Sequence, residues 1–127
     1  MSMRRLTLLV IDDDEDVRRA LARFLRLHGY DVVAFESAEA WLAGMTSVDA
    51  AVIDINLPGM SGLELDDQLR RDGRAIPAVF ITAHDEARAS AANRIVLPKP
   101  LDTDRFLEAL QRVIASSDGA GPVDDAG

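Results

Sequence analysis

No cysteine occurs among the 127 residues, so disulfides, thiolate zinc sites and cysteine nucleophiles are excluded. Positive charge is scarce as well: 14 lysines and arginines face 22 aspartates and glutamates, for a formal net charge of -8. Nucleic acid and anionic membranes select basic patches, whereas here the arginines are scattered, so direct nucleic-acid or membrane binding by this region is not expected. Long apolar runs are also missing. The longest, LLVI and AVFI, fall far short of the ~20 residues that cross a bilayer, and no signal peptide precedes the first apolar stretch. A cytoplasmic location is the expectation compatible with these absences.

What is present suits one folded domain: 48% of the residues are hydrophobic, enough for a core in a chain of this length. Short β-like runs alternate with helical patterns, with no internal repeat, as in βα units around a parallel sheet. The strands are LTLLVI (6–11), DVVAF (31–35), AAVID (50–54), AVFI (78–81) and RIVL (94–97). The first helix carries Val17, Leu21 and Phe24 at helical spacing and ends at Gly29; the second starts near Ser37 and buries Trp41, Leu42 and Met45. Ser61 and Glu64 have the spacing of a capping box ahead of Leu65 and Leu69, and Gly73 stops that third helix. The last helix, roughly 103–115, places Phe106, Leu107, Leu110, Val113 and Ile114 on one face. SSDGAGPVDDAG beyond it is small, polar and rich in Gly and Pro, so residues 117–127 read as a disordered tail or linker stub.

The run VIDDDEDVRR, residues 10–19, crowds five acids against the end of a strand. Such a run is usually a solvated loop or a helix's first turn, where the helix dipole favours negative charge, and that covers Glu15 and Asp16. It does not explain Asp12 and Asp13, which follow the apolar run without a spacer. In a parallel sheet the carboxyl ends of the strands share one edge, where ligands bind. The first strand delivers Asp12 and Asp13 to it, the third Asp54, the fourth Thr82 and the fifth Lys99, the only lysine in the chain. Hard oxygen donors without sulfur suit Mg²⁺, and a carboxylate can act as nucleophile toward phosphorus. A point charge on a flexible stem suits a single phosphoryl or carboxylate oxygen.

In these residues the chain resembles the receiver domains of bacterial two-component response regulators, over about residues 5–116. IDDDED matches the acid pair closing the first strand, VIDINLPGMSG the segment around the phosphoaccepting aspartate, FITA the hydroxyl of the fourth strand, and PKP the lysine of the fifth. The resemblance implies a doubly wound α/β fold with a five-stranded parallel sheet in flavodoxin-like order 2-1-3-4-5. It implies that Asp54 accepts a phosphoryl group from a sensor histidine kinase or phosphotransfer protein and that Thr82 and Lys99 contact that group. Mg²⁺, with Mn²⁺ as a substitute, would be held by Asp13, Asp54 and the backbone carbonyl of Asn56, with Asp12 acting through water. Pro58, Gly59 and Gly62 would turn the chain away and leave Asp54 accessible. Asn56 and His84 occupy positions that tune phosphate lifetime in the family. The domain would then be a signalling module rather than an enzyme, catalysing only its own phosphorylation and dephosphorylation, a monomer or weak dimer acting on an unspecified output partner.

Two features depart from the family pattern. Val96 stands where an aromatic residue usually precedes the lysine by three positions, and the span from Thr82 to Lys99 is short by one to one and a half helical turns. A shortened or irregular fourth helix between the last two strands follows, because ARASAAN offers only alanines as apolar anchors. Pro98, lacking an N–H, fits the fifth strand only if that strand is an edge. These departures keep open a receiver-shaped binding module that phosphorylation does not switch. A phosphatase of the haloacid dehalogenase type would use Asp12 and Asp14, but no late acid pair is evident. A calcium loop fails because Val17 and Arg23 stand where glycine and glutamate are required.

Overall fold

Residues 4–84 and 93–126 are described by the structure, a computed structural model, the last ten of them as backbone only. Five strands, β1 (Thr7–Ile11), β2 (Asp31–Phe35), β3 (Ala50–Asp54), β4 (Ala78–Thr82) and β5 (Ile95–Pro98), form one sheet in the order β2-β1-β3-β4-β5. Every neighbouring pair is parallel. Four helices among the described residues complete the chain: α1 (Glu15–Leu27), α2 (Ala38–Gly44), α3 (Gly62–Arg71) and α4 (Thr103–Ala126).

Strand side chains alternate between the two faces of the sheet. Leu9, Ile11, Ala51, Ile53 and Phe80 meet Trp41, Leu65 and Leu69 on one face. Leu8, Val10, Val52, Val79 and Ile81 meet Leu21, Leu25, Phe106 and Leu110 on the other. Burial on both faces is the reason β1, β3 and β4 read as unbroken apolar runs. Each fully buried Leu, Ile or Phe contributes roughly 1.5–3 kcal/mol, so these two layers dominate the stability of the sheet.

Local signals set most helix ends. Asp14 caps α1 by accepting from the N–H groups of Asp16 and Val17, which accounts for the third acid of the run. Ser37 caps α2, and Ser61 with Glu64 forms the reciprocal capping box of α3. Met45 lies just past α2 in a left-handed conformation rather than within the helix, yet still packs on the core. Pro98 pairs opposite Thr82 on the edge strand, where its missing N–H breaks no interior ladder.

One expectation needs adjustment, and another lies outside the described residues. Helix α4 does not end near residue 115: where the sequence is read as a tail or linker from residue 117, the backbone stays helical to Ala126. Apolar spacing reports only the stretch that packs on the sheet, here Phe106 to Ile114. The shortened or irregular helix expected between β4 and β5 falls on residues 85–92, outside the described residues. The start of β5 is instead tied to α3 by Arg94, which pairs with buried Asp66 at 2.7 Å and Asp67 at 2.5 Å and lies 5.9 Å from the Phe80 ring centroid.

Gly62 opens α3 directly beneath the third strand. A Cβ there would strike the backbone carbonyl oxygen of Asp54 and approach Ile53 Cγ2 to 2.8 Å. Backbone cannot yield as a flexible side chain can. Gly62→Ala is therefore expected to lower the urea unfolding midpoint, by ~1–3 kcal/mol of stability, the usual cost of overpacking. An unchanged midpoint would show that α3 does not press on Asp54.

Candidate functional site

The parallel sheet brings the sequence-selected residues to one edge. Asp12 follows β1 and stays in the ladder through its N–H, which donates to the Phe35 carbonyl at 3.2 Å. Its side chain is fully buried, Asp13 beside it is exposed, and Asp54 at the end of β3 is only 3% exposed. One ligand oxygen from each of these three carboxylates lies within 4.8 Å of the others.

Lys99 crosses from the end of β5 to meet them. Its Nζ lies 2.9 Å from Asp54 Oδ2 and 2.9 Å from Asp12 Oδ2. The contact with Asp54 has hydrogen-bond geometry; that with Asp12 is close but misaligned, leaving Asp12 Oδ2 a buried oxygen without a hydrogen-bond partner among the described residues. Burial raises the Asp12 carboxyl above the usual carboxylate range, an effect that Lys99 and the Asp14 N–H oppose and the Asp54 charge reinforces. For Lys99 burial alone would lower the ammonium, but Asp12 and Asp54 outweigh it and hold it above the ordinary lysine value. Asp54 is not accessible in the way the turn residues suggested. The turn does lead the backbone away, but Lys99 fills the space beside the carboxylate.

On the other side, Asp54 Oδ1 accepts the Asn56 N–H at 2.9 Å. The Asn56 side chain reaches Thr82, whose hydroxyl lies 2.6 Å from Asn56 Oδ1 and accepts the His84 N–H at 3.0 Å. Thr82 is buried, while Asn56, Ala83 and His84 are exposed. Lys99 and Thr82 are linked through the backbone as well, the Lys99 N–H donating to the Thr82 carbonyl at 2.9 Å. All of Asp12, Asp13, Asp54, Asn56, Thr82 and Lys99 thus gather at one edge.

Two further residues hold this edge without having been legible. Arg18, in α1, donates from Nη1 to the Asp12 carbonyl at 2.9 Å and so braces the acid pair. Glu39, in the first turn of α2, accepts the Met60 N–H at 2.8 Å. That bond, followed by one from its own N–H, keeps the Glu39 carboxyl below the usual range. Gly59, at φ +77°, passes so close that a Cβ would lie 2.6 Å from Glu39 Oε2. In the sequence Arg18 is one of several arginines of a first helix and Glu39 an acid in a helix's first turn, and neither position reveals a partner on another element.

The donor set fits a divalent cation. Three carboxylates against one ammonium leave a net charge of two minus at the edge, and Asp12 Oδ2, though ion-paired with Lys99, accepts no hydrogen bond among the described residues. All donors are hard oxygens, the kind Mg²⁺ takes.

Comparison with known proteins agrees with this arrangement. Residues 8–111 match the response regulator receiver domain family, and the chain belongs to it. It is 38% identical over 124 residues to the response regulator MprA of Mycolicibacterium vanbaalenii, covering 90% of this chain and 54% of that protein. It is 34% identical over 120 residues to the DNA-binding transcriptional regulator NtrC of Salmonella typhimurium, covering 89% of this chain and 26% of that one. The chain therefore spans about half, or less, of these relatives. Among solved structures, FixJ-N superposes with a TM-score of 0.77 at 32% identity, covering 89% of this chain and 96% of FixJ-N. The Thermotoga maritima response regulator TrrA, in complex with Mg²⁺ and beryllofluoride, superposes at 0.76 with 25% identity, covering 85% and 98%. The chain is a receiver domain of the two-component response regulators, a regulatory class. No described helix is long and apolar enough to cross a membrane.

Since Asp12 is desolvated beside a second carboxylate, Asp12→Asn is expected to raise the thermal midpoint of the metal-free protein, and calorimetric scans in chelator check this. A lower midpoint would mean that the contact with Lys99 outweighs the burial of the charge.

Proposed function

We propose that Asp54 is the phosphoacceptor of this receiver and that Asp13, Asp54 and the Asn56 carbonyl hold Mg²⁺, with Asp12 acting through metal-bound water and Mn²⁺ able to substitute. The observation that carries the reading is the buried Asp54 carboxylate, 2.9 Å from Lys99 Nζ with two further acids within 4.8 Å. A bound divalent cation would offset negative charge on the transferring phosphoryl group.

The protein's own residues do the rest. A carboxylate oxygen of Asp54 forms the new bond to phosphorus as the phosphorus–nitrogen bond of the donor's phosphohistidine breaks, the electron pair leaving with the imidazole. The Asn56 N–H and the Lys99 ammonium fix the carboxylate's orientation before transfer. Once the group is attached, Lys99 is available to a phosphoryl oxygen, and the Thr82 hydroxyl, at the end of β4, to another. The donor would be a sensor histidine kinase or a phosphotransfer protein, the setting cytoplasmic, and the receiver unit residues 5–116, with 117–127 outside it. The domain is a monomer or weak dimer in this reading, and it catalyses only its own phosphorylation and dephosphorylation before an output partner reads its conformation.

Incubation with acetyl phosphate or phosphoramidate and Mg²⁺ is expected to add one phosphoryl group by intact mass, and Asp54→Asn to abolish it. Equal labelling of that variant would refute the assignment.

Calorimetric titration tests the metal ligands separately. Asp13→Asn should weaken Mg²⁺ binding by ~10-fold or more, with a smaller loss for Asp12→Asn; wild-type affinity in Asp13→Asn would remove it from the ligand set.

A further inference from the structure

Thr82 has one hydroxyl hydrogen, and its use can be worked out from its neighbours. A threonine hydroxyl offers one donor and two acceptor lone pairs. The His84 N–H occupies one lone pair at 3.0 Å. Two acceptors compete for the hydrogen: Asn56 Oδ1 at 2.6 Å and the His84 carbonyl at 3.2 Å. The shorter contact, at the short end for O–H···O bonds, takes it. In this arrangement the buried hydroxyl receives the His84 amide and donates to the amide oxygen of Asn56.

Asn56 therefore touches the acceptor site twice. Its N–H is bonded to Asp54 Oδ1 and its side chain to Thr82. Thr82 is 1% exposed, so water cannot easily replace Asn56 there, whereas Asn56 itself is exposed and can turn to solvent. From this we infer that the Asn56 side chain is a restraint on the switch: it engages the single Thr82 hydrogen in the resting state, and Thr82 cannot donate to a phosphoryl oxygen on Asp54 until that bond is released. The inference rests on Asp54 being the phosphoacceptor. It makes Asn56 a positioning residue whose side chain sets the balance between resting and activated Thr82, apart from any role of its backbone carbonyl.

Release of one such bond corresponds to about a three- to tenfold change in that balance. The test follows the Thr82 methyl resonance in Mg²⁺, first without and then with beryllofluoride as the phosphoryl mimic. In Asn56→Ala the methyl of the free protein should move toward its position in the beryllofluoride-saturated wild type, and beryllofluoride should bind about three- to tenfold more tightly. Asn56→Asp, which keeps an acceptor oxygen, should leave the free-state methyl near its wild-type position. In a Thr82→Ala background, where no hydroxyl remains, Asn56→Ala should bring no gain in affinity. A methyl unmoved in Asn56→Ala, or an affinity gain that persists without the Thr82 hydroxyl, would overturn the restraint while leaving the phosphoacceptor reading intact. Failure of the wild type to bind beryllofluoride, or equal binding by Asp54→Asn, would overturn that reading and the restraint together.

Discussion

A parallel sheet with both faces covered leaves the carboxyl ends of its strands as the place for polar chemistry, and here that edge must hold two buried acids side by side. The Lys99 ammonium makes this possible. It sits 2.9 Å from carboxylates delivered by β1 and β3 while belonging to the end of β5. One cation thus joins the central pair of strands to the edge strand, across an edge that mutual repulsion would otherwise loosen. Because one cation is shared by two buried acids, with a third at the rim, the site remains electron-rich even when paired. That surplus of negative charge suits a divalent ion.

Around this charge cluster the loops are held by bonds between elements rather than within them. Arg18 braces the Asp12 carbonyl from α1, and Glu39 reaches from α2 to the loop that follows Asp54. Both leave the carboxylate ends of Asp12 and Asp54 to the site while fixing the backbone behind them. The result is a stiff base under a few side chains, Lys99, Thr82 and Asn56, whose partners can be exchanged.

Much of this was readable from residue order because strand ends obey a simple rule. Once the runs ending at Ile11, Asp54, Ile81 and Leu97 are taken as parallel strands, Asp12, Asp54, Thr82 and Lys99 must share an edge. Caps were readable for the same local reason, as Ser61 with Glu64 shows. What escaped were contacts between residues far apart in the chain. Nothing in the sequence pairs Arg94 with Asp66, or places Lys99 so that it closes over Asp54 where the turn at Pro58 and Gly59 suggested an open carboxylate. The length of α4 escaped for another reason: apolar periodicity marks where a helix packs, not where its backbone stops.

The solitary lysine has a chemical consequence of another kind. Within these 127 residues Lys99 carries the only side-chain primary amine, so acylating or reductively alkylating reagents that select amines have a single side-chain target, located beside Asp12 and Asp54. Its two carboxylate neighbours keep the nitrogen protonated and its lone pair withheld, which makes it a poor nucleophile for as long as they stay in contact. Side-chain amine chemistry within these residues thus reports on the integrity of the acidic edge, and a tag installed through that nitrogen would occupy the edge itself.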